Sequence, residues 1–222
     1  MASVTGTDWL LLLLAYLVGG IPVGLVVGLA RGVDVRKVGS GNIGATNVIR
    51  GVGAKLGALV FIVDVLKGVA AVLIARALGV EDWVVGMAGL FVVLGHSFSP
   101  YLAFKGGKGV ATTLGVGLGL GWLPALLAFV LWLLIVLPTR LVSLASMIAV
   151  AALPALIYAF NPSRPDMIMP LVALAVIVIG RHNENLERLL RGEENRFGAP
   201  KPATTDPPPA GDQQSGGGDA DE

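Results

Sequence analysis

Long apolar runs alternate with short polar interruptions along this chain. Stretches 9–30, 54–75, 83–103, 108–121, 122–137, 141–160 and 166–181 carry few charges, and a spanning helix needs roughly 17–25 mostly apolar residues. Runs 108–121 and 122–137 are short, with Gly119, Gly121 and Pro124 clustered where they meet. Proline disrupts a helix interior through its missing N–H and its ring clash. The two runs therefore read as one long helix or as two short ones.

The placement of charge bears on that choice. Arg31, Arg36, Lys37, Arg50 and Lys55 flank the first interruption, Lys105 and Lys108 lie in the third, and Arg181, Arg188, Arg191 and Arg196 follow the last run. The second interruption mixes Arg76 with Glu81 and Asp82. Under the positive-inside rule the N-terminus is outside, and the first and third loops and the segment after the last span are cytoplasmic. An odd number of crossings is then required. The split satisfies it and also places Arg140 inside. The expectation is an all-α polytopic membrane protein of about seven transmembrane helices, N-terminus outside and C-terminus cytoplasmic. Asp8 and the lack of a basic residue before Trp9 argue that the first run is a retained span, with Trp9 as an interfacial anchor.

Composition agrees. The 222 residues are 55% hydrophobic and 14% charged, where a soluble domain carries about 25% charge. There is no cysteine, so thiolate nucleophiles, Cys-zinc sites and iron–sulfur clusters are excluded. No metal-ligand constellation stands out, and neither metal nor cofactor is expected. From Ala199 the chain is rich in Pro, Gly and Asp; residues 199–222 read as a disordered tail after one membrane-embedded domain, 1–198.

Three polar clusters fall on the expected cytoplasmic side. The first, GSGNIGATNVIRG over residues 39–51, combines backbone-permissive glycines with Ser40, Asn42, Thr46 and Asn47 and ends on the guanidinium fork of Arg50. Gly41 lets the backbone approach a ligand, Arg50 suits a phosphate, and a helix starting near Asn42 would add an anion site at its free N–H groups. The second, GHSFSPYLAFKGGKGVATT over 95–113, sets Lys105 and Lys108 around Gly106 and Gly107, a pairing suited to phosphate. It is not a Walker A loop, since GKG replaces GK[ST]. His96 adds a titratable imidazole at a membrane boundary, a general-base candidate. The third, RHNENLERLLRGEENRFG over 181–198, has Leu186, Leu189 and Leu190 at helical spacing and reads as an amphipathic interfacial helix. His182 and Asn185 share one face of it, and Glu194 follows. Asp64 and Lys67, at i and i+3 inside the second span, read as a structural pair supporting the site. Arg140 and Ser143 fall at the same membrane level.

GSGNIGATNVIR, then GH…FKGGKGVAT, then HxxNxxRLxxGxE, in this order between apolar spans, resemble the bacterial acyl-phosphate:glycerol-3-phosphate acyltransferases, over nearly the whole chain to about residue 198. The resemblance implies a seven-helix integral enzyme of the bacterial cytoplasmic membrane. Such an enzyme moves a fatty acyl group from acyl phosphate to the 1-position of glycerol 3-phosphate. It yields lysophosphatidic acid and phosphate, the first step of phospholipid assembly, without using acyl-CoA or acyl carrier protein directly. The family's essential Ser and Arg fall on Ser40 and Arg50. Its glycerol 3-phosphate motif falls on Gly95, His96, Lys105, Gly106, Gly107, Lys108 and Gly109, its third motif on His182, Asn185, Gly192 and Glu194, and its Asp and Lys-Gly on Asp64, Lys67 and Gly68. One departure is local: Pro100 stands one place late and Tyr101 replaces a Phe.

The roles this implies are as follows. Ser40, Arg50 and the first-loop amides hold the acyl-phosphate head. Lys105, Lys108 and the Gly106–Gly107 backbone hold glycerol 3-phosphate. Asn185 orients a substrate, and His96, His182 or a substrate phosphate oxygen takes the hydroxyl proton. Transfer is expected to be direct, with no acyl-Ser40, since GxSxG is absent. Partners would be the two substrates, the bilayer and, functionally, the enzyme that makes acyl phosphate; a monomer and no nucleic acid are expected. The rival reading is a transporter of an organic phosphate, since intramembrane Asp64 and Lys67, broken helices and Gly-rich loops are transporter features too.

Overall fold

The computed structural model describes residues 5–198; the expected disordered tail at 199–222 lies outside the described residues. Ten α-helices follow in order: α1 (Gly6–Gly20), α2 (Val23–Leu29), α3 (Ala45–Gly51), α4 (Ala54–Ala77), α5 (Asp82–Ser97), α6 (Val110–Leu120), α7 (Trp122–Thr139), α8 (Val142–Phe160), α9 (Ile168–Gly180) and α10 (Asn183–Leu190). Asp8 has a local task. Its carboxylate accepts from Thr5 N at 2.8 Å, while Thr5 Oγ1 accepts from Asp8 N at 3.2 Å, a capping box that satisfies two orphan donors at the start of α1.

Among the described residues five helices are long and apolar enough to cross a membrane, with α1 and α2 taken together; α9 and α10, bent by 57°, make a sixth if joined. The run expected at 9–30 is thus broken, at Ile21–Pro22. At the break the carbonyl of Ile21 accepts from Val23 N at 3.0 Å and from Lys67 Nζ at 2.5 Å. An intramembrane lysine thus supplements the backbone bonding where the helix is interrupted.

The doubtful pair at 108–137 resolves into two helices. Gly121 is extended (φ −179°, ψ 121°), and the chain turns back on itself. A Cβ placed on Gly117 would stand 3.3 Å from Ala125 Cβ, whereas residues eight apart in a straight helix are separated by about 12 Å. At 11 residues, α6 is about 16 Å long, short of the ~30 Å hydrocarbon layer. Its far end is closed by Arg76, in the last turn of α4, which donates to Gly119 O at 2.7 Å and Leu120 O at 2.8 Å. The C-terminal ends of α4 and α6 therefore coincide and the two helices run parallel.

Small residues let backbones touch, which drives helix association where lipid removes the hydrophobic incentive. A Cβ on Gly95 would lie 1.9 Å from Tyr16 O, joining α5 to α1, and one on Gly115 would lie 2.0 Å from Val65 O, joining α6 to α4. Leu12, Val92, Val116, Ile157, Leu171 and Leu174 fill the space between these pairs, each under 2% exposed. Large apolar side chains such as Leu134, Val176 and Met169 stay outward, where lipid would meet them.

Candidate active site

One cavity of about 780 Å³ opens at the end of the bundle where α2 and α5 finish and α4, α6 and α8 begin. Its head is polar and its bore apolar. The head brings together residues from all three polar clusters: Ser40, Asn42, Thr46 and Arg50 from the first, His96 and Lys108 from the second, His182, Asn185 and Glu194 from the third. Arg140 and Ser143, between α7 and α8, complete it, and Asp64 reaches it from α4. The bore runs between α4, α6, α7 and α8 past Phe61, Phe129, Trp132 and Val150.

The first cluster folds as a loop leading into α3. That helix begins at Ala45 rather than near Asn42, because Asn42 Oδ1 accepts from Gly44 N at 2.8 Å and holds the preceding turn. Asn47 is buried, and its amide is fully engaged: Nδ2 donates to the carbonyls of Val35, Val38 and Asn42, and Oδ1 accepts from Ser40 N at 2.9 Å. Asn47 therefore shapes the loop that presents Ser40 and Arg50. The side chains of Arg50 and Arg140 are exposed and have no hydrogen bond or ion pair among the described residues.

The second cluster is ordered differently from the sequence expectation. Gly106 N and Gly107 N donate to Ser97 O and His96 O, and their carbonyls accept from the guanidinium of Arg181 at 3.1 and 3.3 Å. The Gly-Gly amides thus do not face the cavity, and the exposed Lys105 lies outside its lining. What does face it is the start of α6, capped by Gly109 (φ +82°) with no side-chain cap. Its leading N–H groups are unused within the helix. Lys108 stands beside them, donating to Asn185 Oδ1. The displaced Pro100 fits a short 3₁₀ turn, Pro100–Leu102, tied by Ser99 Oγ donating to Gly20 O at 2.6 Å.

In the third cluster Glu194 is a hub. Its Oε1 accepts from Asn185 Nδ2 at 2.6 Å and from Ser143 Oγ at 2.9 Å, and its Oε2 accepts from Arg188 Nε at 2.9 Å. His182 Nδ1 lies 2.7 Å from Val178 O. A neutral ring there must donate from Nδ1, which leaves Nε2 as an acceptor. Burial lowers the His182 pKa to about 4, so the ring is neutral at pH 7. Asp64 pairs with Lys67 at 3.0 Å and faces His96 Nδ1 at 3.7 Å.

Charge in the head is lopsided. Both carboxylates already have cationic partners, Asp64 with Lys67 and Glu194 with Arg188. Arg50, Lys108 and Arg140 have none among the described residues. Three uncompensated cations over an apolar bore suit anionic head groups attached to a hydrocarbon chain. The model of the family described as glycerol-3-phosphate acyltransferase matches residues 9–192. The chain belongs to this family.

Glycerol-3-phosphate acyltransferases of Geobacter sulfurreducens and Aquifex aeolicus are 50% and 46% identical to it, over 86% and 84% of this chain and 98% and 97% of theirs. Among solved structures, those of PlsY (YgiH), an integral membrane glycerol 3-phosphate acyltransferase, superpose with TM-scores of 0.82 in the glycerol 3-phosphate form and 0.80 in the lysophosphatidic acid form. They are 45% and 44% identical, covering 87% of this chain and 96% of theirs.

Against this family background, Gly41, Lys105, Gly106 and Gly107 stand apart from the cavity, and Lys67 lies behind Asp64. Arg188, the arginine of the third motif, lines it without having been given a role, and so do Asn195 and Thr113, which the motifs did not single out. Thr113 Oγ1 is buried with no partner among the described residues, an unspent hydrogen-bonding group in the first turn of α6. Arg188 lies three residues beyond Asn185, a spacing that puts the two on one helical face.

Proposed function

We propose that this chain transfers a fatty acyl group from acyl phosphate to the 1-hydroxyl of glycerol 3-phosphate, releasing lysophosphatidic acid and phosphate. The single observation that carries the reading is the continuity of a cationic head with an apolar bore in one cavity. The head suits two phosphates and the bore a fatty chain. The relatives' names, and the glycerol 3-phosphate and lysophosphatidic acid forms of PlsY, support the same acceptor and product.

Arg50 and Arg140 grip the acyl-phosphate head, with Ser40 beside them. Lys108 and the unused N–H groups of α6 hold the phosphate of glycerol 3-phosphate. Asn185, fixed by Glu194, orients the acceptor. The acceptor oxygen attacks the acyl carbonyl carbon and the carbon–oxygen bond to phosphate breaks. Phosphate leaves with the electron pair, and the hydroxyl proton passes to a phosphate oxygen or to an imidazole, His182 Nε2 or His96. Acyl phosphate is already an activated anhydride, so holding the pair in line, worth about 7–11 kcal/mol in good cases, and donors at the developing oxyanion, worth about 3 kcal/mol, are the main demands. Ser40 Oγ has no imidazole or carboxylate partner among the described residues, which favours direct transfer over an acyl-serine.

The chain sits in the bacterial cytoplasmic membrane as a monomer, with its N-terminus outside and the site facing the cytoplasm. The seventh crossing is α6 together with the irregular segment that leads into it. The segment after α9 is cytoplasmic, and the acyl phosphate comes from an enzyme of fatty-acid synthesis. A transporter would carry its binding groups near the midplane; these gather at one end of the bundle. Purified protein incubated with acyl phosphate and labelled glycerol 3-phosphate should form lysophosphatidic acid and phosphate in equal amounts. Absence of the lipid product, with uptake of the label by proteoliposomes, would reverse the assignment.

A further inference from the structure

The apolar bore has a floor, and two side chains build it. On α7 the lining begins at Leu137 and ends at Ala128; on α8 it begins at Val142 and ends at Leu153. Runs of that length descend about 14–16 Å at 1.5 Å per residue, roughly half of a ~30 Å hydrocarbon layer. The lining contributed by α6 stops sooner, at Leu114.

Beyond the floor the helices close. Ala125, one turn past Ala128, is 0% exposed. A Cβ on Gly117 would meet Leu153 Cδ1 at 3.2 Å and Ala125 Cβ at 3.3 Å, so α6, α7 and α8 touch there with no space between them. Leu153 and Ala128 are the deepest lining residues on α8 and α7 and stand next to this closed seam. Higher up, Trp132 Nε1 donates to Ser146 Oγ at 3.1 Å and its ring stacks on Phe129, which fixes the spacing of α7 and α8 around the bore.

We infer that Leu153 and Ala128 are specificity-determining residues: together they set the longest acyl chain that the site accepts in full. The inference rests on the reading of acyl phosphate as donor. A chain that fits ends against these two side chains. A longer chain must fold back on itself or draw its phosphate away from the cationic head, because the closed seam beyond the floor admits no further methylene, and kcat/KM falls past that length.

The test is the ratio of kcat/KM for long over short donors, measured on a series of straight-chain acyl phosphates from octanoyl to octadecanoyl. Ala128→Leu and Ala128→Phe raise the floor and should move the cut-off to shorter chains, lowering the ratio at least tenfold. Leu153→Ala lowers the floor and should move it to longer ones. Leu134→Phe, on the exposed side of α7, should leave the profile as in the native protein. Where Ala128→Phe does not fold, Ala128→Val makes the same change with less bulk and should shift the ratio in the same direction. Profiles of folded Ala128 and Leu153 variants that superpose on the native one overturn the inference, because the chain then leaves sideways into lipid above the floor. A native protein that turns over no acyl phosphate at all overturns the donor reading itself, a result distinct from superposed profiles.

Discussion

The Asn185 amide donates to Glu194 at 2.6 Å across nine residues of chain. That bond fixes the amide's orientation, so that its oxygen is left to meet Lys108. Because Glu194 also accepts from Ser143 and Arg188, it joins α8, α10 and the segment after α10 over the cavity head. Hydrogen bonds to a charged group contribute about 1.5–3 kcal/mol each. Glu194→Ala should therefore lower kcat about 100-fold by releasing Asn185. Glu194→Gln keeps an acceptor for Asn185 and should lose about tenfold. A double-mutant cycle with Asn185→Ala should be strongly non-additive; additive losses would mean that the two side chains act separately.

Arg50 and Arg140 have no protein partner among the described residues, which leaves both guanidinium groups open to a ligand's phosphate. Arg50→Lys keeps the charge and loses the planar fork. Acyl-phosphate turnover by Arg50→Lys should fall at least tenfold in kcat/KM at saturating glycerol 3-phosphate. Native rates would remove Arg50 from the donor site.

The two lysines of the Lys-Gly-Gly-Lys segment should behave unlike each other. Lys108 faces the cavity and Lys105 does not. Lys108→Ala should raise the KM for glycerol 3-phosphate about 10–100-fold, the range expected on losing a charged contact, with a smaller change for acyl phosphate. Lys105→Ala should change either constant less than threefold. Equal effects would place Lys105 in the site after all.

Lys67 serves two acceptors at once, Asp64 and the carbonyl at the Ile21–Pro22 break. Removing one partner of a buried ion pair strands the other, at a cost of about 3–5 kcal/mol. Lys67→Met should therefore lower the melting temperature in detergent by many degrees. Asp64→Asn with Lys67→Met should recover part of the loss, since no buried carboxylate then stands alone. A double variant no more stable than Lys67→Met would mean that a stranded Asp64 carboxylate is not what destabilises the single variant.

These contacts mark where sequence alone was informative. The split at Gly121 was legible because Gly119, Gly121 and Pro124 weaken a helix locally. The Asp64–Lys67 pairing was legible because i,i+3 spacing is itself local. The break at Pro22 was not, since hydropathy runs unbroken through it and its compensation comes from a lysine 46 residues away. Asn47 looked like a ligand because a polar side chain in a loop serves a substrate or its own backbone equally well on paper. The Gly106–Gly107 amides turn towards the end of α5, an orientation that loop composition does not encode. Arg188 stood in the third motif and among the positive-inside charges but was given no role, although its spacing from Asn185 placed both on one face.

His182 links acidity to stability. Burial lowers its ring's pKa to about 4 in the folded chain, from the ordinary histidine value of 6.5. Between those values the unfolded state binds a proton that the folded state refuses, so stability rises with pH across the window. The sign follows directly: the contribution is fully present above about pH 6.5 and is lost as pH falls towards 4. In detergent, the melting temperature of the native protein should therefore drop on acidification from pH 6.5 to 4 more steeply than that of His182→Gln, which has no proton to gain. Activity should show no inflection from His182 between pH 6.5 and 8, because the ring is already neutral and its Nε2 already an acceptor. Parallel melting curves for the two proteins across the acidic window would show that the folded chain takes up the His182 proton as readily as the unfolded one, and would withdraw burial as the cause of a lowered pKa.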